Sequence, residues 1–139
     1  MAETLTLELV DPERVLASEA VEMVVLPGVE GDFGVLPNHA PLVSLLRPGV
    51  IALYEGAKVT RRFFVAGGFV EVSEQGCTVL AEGAEPVEEL DRAAVEQALR
   101  DAEEDLADAK EPSEEQRARL ERAVAIARAR LEAVTAPQA

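Results

Sequence analysis

The residues that could do chemistry are few, and they are not grouped. The chain has a single histidine, His39, in the segment Pro-Asn-His-Ala-Pro, and Ser44 follows it closely. Nucleophilic catalysis needs an activating base beside the nucleophile, and no acid or oxyanion pattern surrounds this pair. The single cysteine, Cys77, falls within a predicted strand, where a buried and unreactive thiol is the usual state. We therefore interpret His39 as a structural or interface residue and predict no catalytic site.

Nucleotide and metal sites are not indicated either. Gly28, Gly31 and Gly34 follow a G-x-x-G-x-x-G pattern, which differs from the dinucleotide fingerprint and has no strand–helix–strand unit around it. The phosphate-binding pattern G-x-x-x-x-G-K-[ST] does not occur. The adjacent acids at 103–105 are typical of a solvated helix face. Small sandwich enzymes of the cupin type need several His and Glu metal ligands, and one histidine is too few. We predict no cofactor and no metal.

The overall composition narrows the class of partner. Of 139 residues, 13 are Lys or Arg and 27 are Asp or Glu, which gives a formal charge of −14. Nucleic-acid phosphates and anionic lipids attract Lys and Arg, so neither is expected as a direct partner. A hydrophobic fraction of 48% indicates a folded chain. The acidic, alternating N-terminus is unlike a secretory or transit peptide, and no apolar run is long enough to span a membrane, which favours a cytosolic-type protein.

Two compositions divide the chain near Pro86. All nine glycines and all five aromatic residues precede residue 87, whereas 14 alanines lie in the 53 residues that follow. Residues 4–10 alternate apolar and polar side chains, as a half-buried strand does. Further short apolar runs lie between Pro and Gly turn signals, at 21–26, 33–36, 42–46, 50–54, 59–66, 69–73 and 77–82. About nine short strands at this spacing predict an antiparallel β-sandwich or flattened barrel over residues 1–86.

The second part predicts an antiparallel helical hairpin over residues 87–139, with helices at about 91–110 and 114–134. Apolar residues recur at a 4-3-4-3 spacing in each helix and form a narrow coiled-coil seam: Val95, Leu99, Ala102, Leu106 and Ala109, then Leu120, Val124, Ala127, Leu131 and Val134. Asp91 is the expected N-cap of the first helix, Pro112 ends it, and Ser113 with Gln116 forms a capping box for the second. Such a seam is marginal alone, so we expect the hairpin to dock on the sandwich or on a partner and to be able to move.

Charge is distributed unevenly within the helical hairpin. Residues 91–110 hold three bases and seven acids, 3 − 7 = −4, whereas residues 117–130 hold five arginines and one glutamate, 5 − 1 = +4. One interpretation pairs the acidic first helix with the basic second, each exposed pair contributing about 0.2–1 kcal/mol. The other interpretation is that the arginines meet an acidic surface of another protein when the hairpin opens. Charge alone favours the first interpretation.

Three spaced blocks of sequence resemble a known protein family over about residues 4–135. Residues 27–42, PGVEGDFGVLPNHAPL, resemble the signature loop of the epsilon subunits of F-type ATP synthases, and RPGV follows at 47–50. Residues 63–72, FFVAGGFVEV, and residues 78–82, TVLAE, are similar to the second and third blocks of that family. The resemblance implies a ten-stranded β-sandwich followed by two antiparallel helices, in agreement with the elements predicted above.

The resemblance implies a non-catalytic rotor subunit of the central stalk. Such a subunit binds the gamma subunit, sits on the ring of c subunits, and helps couple proton translocation to ATP synthesis. It implies that Gly31 and Asp32 meet the c-ring, and that His39 and Ser44 lie near gamma and the ring. Membrane association at the cytoplasmic face of the inner membrane is then through protein partners alone.

The resemblance also implies a regulatory role for the helical hairpin. In the family the hairpin can extend along gamma and inhibit ATP hydrolysis, with basic residues meeting an acidic segment of a catalytic subunit; the candidates here are Arg117, Arg119, Arg122, Arg128 and Arg130. This would add the alpha and beta subunits to the partners. Other members bind ATP through a pattern like [IL]-D-x-x-R-A, but Ala94 stands at the arginine position after Asp91, so we predict weak or no ATP binding. A stand-alone β-sandwich binding module with a coiled-coil tail is the alternative function.

Overall fold

The structure, a computed structural model, describes residues 3–136 of the chain. Its first part contains ten strands: β1 Leu5–Val10, β2 Val15–Val21, β3 Met23–Gly28, β4 Gly31–Val35, β5 Leu42–Leu46, β6 Gly49–Glu55, β7 Lys58–Val65, β8 Gly67–Ser73, β9 Gly76–Glu82 and β10 Glu85–Pro86. A 3₁₀ turn at Val87–Glu89 leads to two helices, α1 at Arg92–Asp108 and α2 at Glu114–Thr135. The predicted class, a β-sandwich followed by a two-helix hairpin, is confirmed.

The strands form one continuous sheet that folds over itself. The strand order is β10-β7-β6-β3-β5-β8-β9-β1-β2, and β4 pairs with β3 outside this path. Within the described residues every ladder is antiparallel apart from that of β1 with β9, which runs parallel from Thr6↔Gly76 to Val10↔Leu80. The sequence did not reveal this pair, because a parallel neighbour normally calls for a helical crossover. Here the connection between the parallel strands β1 and β9 consists of the strands β2–β8.

Two strands were not predicted as separate elements. β2 carries adjacent apolar residues in the sequence VLASEAV, so its sequence lacks the alternation that marks a half-buried strand. It lies at one end of the strand order, where Glu19 Oε2 contacts Arg61 Nη1 of β7 at 2.6 Å. β10 has two residues, too few for any periodic signal.

The core lies between the two halves of the folded sheet. β1 shows the predicted alternation, with Leu5, Leu7 and Leu9 buried and the residues between them exposed. Phe63 and Ile51 are among the largest fully buried side chains. Because inward side chains alternate with outward ones along each strand, the same ladders also decide which residues lie together on the outer face.

Two glycines allow close packing beside the parallel ladder. Gly76 opens β9 with φ +153°, and a Cβ there would lie 2.2 Å from the carbonyl oxygen of Thr6. Gly68 in β8 has φ +142°, and a Cβ there would lie 2.4 Å from the carbonyl oxygen of Leu80. Only a residue without a Cβ can adopt this positive φ so close to the neighbouring strand. Both glycines therefore allow β8, β9 and β1 to pack at this distance.

The ends of the two helices follow the predicted caps. The side chain of Asp91 accepts a hydrogen bond from the backbone N of Ala93 at 3.3 Å. Ser113 Oγ accepts from Gln116 N at 3.1 Å, and Ser113 N donates to Gln116 Oε1 at 2.9 Å, which is the full capping box. Neither helix of the described residues has the length and apolarity of a membrane span.

The two helices pack through the predicted seam. Val95 of α1 and Val124 and Ala127 of α2 are buried, and the other seam residues are half-buried. α1 packs against α2, and α2 in turn packs against β6 and the 3₁₀ turn. The helical hairpin is therefore joined to the sandwich mainly through α2.

Candidate functional site

The turn between β3 and β4 carries the first two predicted site residues. Gly31 opens β4 with φ +135°, and Asp32 is exposed beside it. Arg47 ties the turn down, because its Nη2 donates to Asp32 Oδ1 at 2.5 Å and its Nη1 donates to the carbonyl oxygen of Gly28 at 2.5 Å. The tip of the turn presents Val29, which is 54% exposed. Sequence reasoning included Arg47 in a family block but gave it no role.

His39 and Ser44 do not form a catalytic pair. His39 is half-buried, and its Nδ1 donates to the carbonyl oxygen of Ala40 at 2.6 Å. Ser44 Oγ donates to the carbonyl oxygen of Leu45 at 3.2 Å. Each side chain bonds to the neighbouring backbone, and within residues 3–136 no hydrogen bond joins the two. This arrangement does not activate the serine as a nucleophile.

An exposed apolar row crosses the outer face of the sheet, and sequence reasoning missed it. The ladder registers place five residues side by side on β5, β8, β9, β1 and β2, and we name them the outer apolar row: Leu45, Phe69, Leu80, Val10 and Val15. Leu45 and Val15 are each 61% exposed and Leu80 is 50% exposed. Four inter-strand spacings of about 4.8 Å make the row about 19 Å long. A contiguous exposed apolar surface marks an interaction site, whereas a single exposed apolar residue does not.

Two arginines of α2 contact the sandwich. Arg122 Nη2 lies 2.7 Å from Glu82 Oε2 at the end of β9. Arg130 Nη2 lies 3.1 Å from Glu85 Oε2 of β10, and its guanidinium carbon lies 5.0 Å from the centroid of the Phe64 ring. The charged face of α2 is thus turned partly toward acids of the sandwich and not wholly toward α1.

The remaining arginines of α2 are arranged differently. Arg128 Nη2 lies 3.6 Å from Glu103 Oε2 of α1, which is a pair of the kind that the charge pattern predicted across the hairpin. Arg117 and Arg119 are exposed near the start of α2, and no carboxylate of residues 3–136 lies within ion-pair distance of either. The structure therefore separates the five predicted arginines into three environments.

A small apolar contact joins α2 to the sandwich. We name it the docking patch, and it consists of buried residues with half-buried neighbours: Phe64, Ala66, Val87 and Ala133, then Val50, Leu90, Ile126 and Ala129. Arg62 Nη2 donates to the carbonyl oxygen of Ala133 at 3.1 Å and so satisfies an acceptor in the last turn of α2. The stripe of Ile126, Ala129 and Ala133 is a second apolar face of α2, distinct from the seam.

Residues 90–95, which match the ATP-binding pattern only in part, make local contacts at the start of α1. Asp91 caps α1, as described above, and Ala94 is exposed in its first turn. Arg92 Nε lies 3.2 Å from Glu96 Oε1, four residues along the same helix. Arg92, the arginine nearest to position 94, is therefore paired with another residue of α1.

Metal and thiol chemistry find no support among the described residues. Within residues 3–136 no three His, Cys, Asp or Glu side chains converge as metal ligands. Cys77 is buried in the sandwich core, and burial raises the pKa of its thiol to about 12. The thiolate, which is the reactive form, is therefore disfavoured at neutral pH.

Comparison with known proteins matches both parts of the sequence. Residues 4–87 match the family described as ATP synthase, Delta/Epsilon chain, beta-sandwich domain, and residues 91–139 match the family described as the C-terminal domain of the ATP synthase epsilon chain. An ATP synthase epsilon chain of Rhodospirillum rubrum is 55% identical over 133 residues, covering 96% of this chain and 98% of the relative. That of Paramagnetospirillum magneticum is 48% identical over 134 residues, covering 96% and 99%.

Solved structures give the same correspondence. A chain in the OSCP/F1/c-ring structure of the Euglena gracilis mitochondrial ATP synthase is 29% identical, with a TM-score of 0.76 over 91% of this chain and 78% of that chain. A chain in the central stalk/c-ring structure of the Tetrahymena thermophila mitochondrial ATP synthase is 17% identical, with a TM-score of 0.65 over 96% and 98%. At that identity the second likeness concerns the fold alone.

Proposed function

The chain belongs to the ATP synthase epsilon chain family, and from this premise we propose that it is a rotor subunit that joins the gamma subunit to the c-ring. The epsilon chain is a non-catalytic subunit, so its function lies in contacts with other subunits. In this role residues 1–86 bind the rotor and help couple proton translocation to ATP synthesis. The chain then lies at the cytoplasmic face of the inner membrane and is held there by protein partners.

The outer apolar row is the observation that carries this proposal, and we assign it to gamma. A rotor subunit must stay attached to its neighbour through each turn, which requires a buried apolar centre at the contact. The row supplies apolar side chains across five strands, of which Leu45, Leu80 and Val15 are exposed and Phe69 and Val10 are half-buried. The formal charge of −14 makes an apolar contact there more plausible than attachment to an anionic surface.

The β3–β4 turn is proposed as the c-ring contact, with Gly31 and Asp32 at the interface. The bonds from Arg47 to Gly28 and Asp32 support this assignment, because a clamped turn loses little conformational entropy when it binds. His39 and Ser44 remain proposed neighbours of gamma and the ring. Their side chains bond to adjacent backbone carbonyls, which suits interface residues that need no catalytic partner.

Co-purification with gamma and the c-ring tests the two contacts separately. Leu80→Glu places a charge in the middle of the outer apolar row, so gamma should be lost. Val29→Glu is the matched control: Val29 is similarly exposed but lies at the tip of the β3–β4 turn, so this variant should keep gamma and weaken c-ring retention. If Leu80→Glu retains gamma as wild type does, the assignment of the row is wrong. If wild type recovers neither partner, the chain acts as a stand-alone module.

We also propose that residues 87–139 regulate ATP hydrolysis. Arg117 and Arg119 support this role, because they stay exposed while the helical hairpin is docked and could meet acidic residues of the alpha or beta subunits. In the assembled complex, Arg117→Gln with Arg119→Gln should raise ATPase activity, as should deletion of residues 87–139. Arg100→Gln on α1 is the control and should leave activity unchanged. Unchanged activity in the deletion would remove the regulatory proposal.

A further inference from the structure

The geometry points to a charge latch that sets how often α2 leaves the sandwich. We define the latch as Arg122 with Glu82 and Arg130 with Glu85. Both pairs join α2 to the end of the sandwich sequence, at β9 and β10. They therefore bridge the two parts of the chain and not the two helices. This inference concerns the docked chain itself and does not depend on which subunits bind it.

The Arg130–Glu85 pair is held in a confined position. The Arg130 side chain is 26% exposed and that of Glu85 is 41% exposed. Arg130 Nη2 lies within ion-pair distance of Glu85 Oε2, but within the described residues neither Glu85 Oε2 nor the buried Arg130 Nε makes a hydrogen bond. A confined pair gives modest net stability when intact but is costly to break on one side only, because the remaining charge loses its partner. The pair thus makes docking sensitive to a single charge.

The apolar part of the contact is small, so α2 is held by the docking patch and the charged groups together. Four residues of the docking patch are buried, and two of them, Ala66 and Ala133, carry only a methyl group. The stacking of Arg130 on Phe64 adds a further contact that also depends on the arginine. The Arg122–Glu82 pair lies more in solvent, with 53% and 64% exposure, so added salt should weaken it. Docking should consequently respond to ionic strength.

The latch has a consequence that rests on the regulatory role proposed above. Arg122 and Arg130 cannot pair with Glu82 and Glu85 and with an acidic partner at the same time. An acidic protein surface must therefore compete with the sandwich for these two arginines. Removal of the negative charges of Glu82 and Glu85 would weaken the latch and so favour release of the helical hairpin toward such a partner.

Thiol labelling of the full chain tests the latch directly. Val87 is 7% exposed inside the docking patch, and Val87→Cys puts a slightly smaller side chain there. A maleimide reaches this thiol when α2 leaves the sandwich. The native Cys77 is 2% exposed in the sandwich core and reports unfolding of the sandwich in the same sample. Mass spectrometry of peptides separates the two labelling rates.

Charge variants in this background give the decisive comparison. Arg130→Glu should raise the labelling rate at position 87 by about tenfold or more, because it places like charges together. Arg122→Glu should raise it by about two- to fivefold, and Arg122→Glu with Glu82→Arg should restore it. Arg119→Glu makes the same charge change on α2 away from the sandwich and should leave the rate unchanged. Raising NaCl from about 0.05 M to about 0.5 M should raise the wild-type rate.

Two results would overturn the latch. One is an Arg130→Glu rate equal to that of Arg119→Glu. If Arg130→Glu also accelerates labelling of Cys77, the sandwich has unfolded in that variant, and the test then rests on the Arg122–Glu82 pair. In that case a labelling rate for Arg122→Glu equal to that for Arg119→Glu rejects the latch. An increase for Arg122→Glu that the Glu82→Arg exchange reverses supports it. Loss of gamma binding in Leu80→Glu bears on the rotor assignment and leaves this test untouched.

Discussion

Ala133 is the position where one substitution should separate docking of the helical hairpin from folding of the sandwich. It is 3% exposed, packs in the docking patch, and its carbonyl oxygen accepts the bond from Arg62. Ala133→Leu inserts three more carbon atoms where helix and sheet are in close contact. Overpacking of this kind costs about 1–3 kcal/mol. The sandwich core is a separate cluster and should keep its stability.

Limited digestion with trypsin measures the effect, because α2 carries arginines along its length. Cleavage after Arg130 is informative, since that side chain is 26% exposed and stacks on Phe64 while α2 is docked. If opening is fast relative to cleavage, the rate follows the open population. A cost of about 1–3 kcal/mol then predicts a rate about 5- to 150-fold higher.

The matched control for this substitution is Ala123→Leu. Ala123 is exposed on the same helix, and Ala and Leu have similar helix propensities, so its cleavage rate should equal that of wild type. The sandwich fragment should survive digestion in both variants. Equal rates after Arg130 for Ala133→Leu and Ala123→Leu would refute the view that the docking patch holds α2.

Three further predictions follow from single side chains. Arg47→Met removes the donors to Gly28 and Asp32, so stability to urea should fall by about 1 kcal/mol and amide exchange at 28–31 should accelerate, whereas the exposed Arg14→Met should change neither. Isothermal titration of the purified chain with ATP should show weak or no binding, since Ala94 stands at the arginine position of the pattern, and micromolar affinity would contradict this. Burial raises the pKa of Cys77 from 9.0 to about 12, so the unfolded chain loses this proton first and stability should decline as pH rises through that interval. Cys77→Ala should show a shallower decline in urea midpoint between about pH 8 and pH 10, and parallel curves would refute the assignment.

Local pattern accounts for the parts of the fold that could be predicted. β1 was visible because Leu5, Leu7 and Leu9 alternate with polar residues, and that alternation is the burial pattern observed. The second helix was visible because the Ser113–Gln116 capping box and the heptad-like seam are both local signals. β2 was hidden because its apolar residues are adjacent, and the parallel ladder of β1 with β9 was hidden because pairing across some 70 residues leaves no local trace.

The interaction surfaces were harder to predict for the same reason. Each strand contributes one residue to the outer apolar row, so the row exists only once the registers of five strands are known. Which acidic residues the arginines contact likewise depends on which face of α2 packs against the sandwich. The stripe of Ile126, Ala129 and Ala133 decides that orientation, and it consists mostly of small residues that the seam pattern does not include. Charge counting alone therefore could not separate Arg128, which pairs with α1, from Arg122 and Arg130.

Only the later part of α2 contacts the sandwich, and this separates arginines that are accessible in the docked chain from arginines that become accessible on release. Contacts with the sandwich begin at Arg122 and continue to Ala133, in the later part of the helix. Arg117 and Arg119 precede this stretch and remain exposed in the docked chain. In the regulatory role proposed above, an acidic partner would bind these two before release and would gain Arg122 and Arg130 only as the latch opens. Such binding at Arg117 and Arg119 would raise the local concentration of acidic groups near the latch, so the first contact would favour the second.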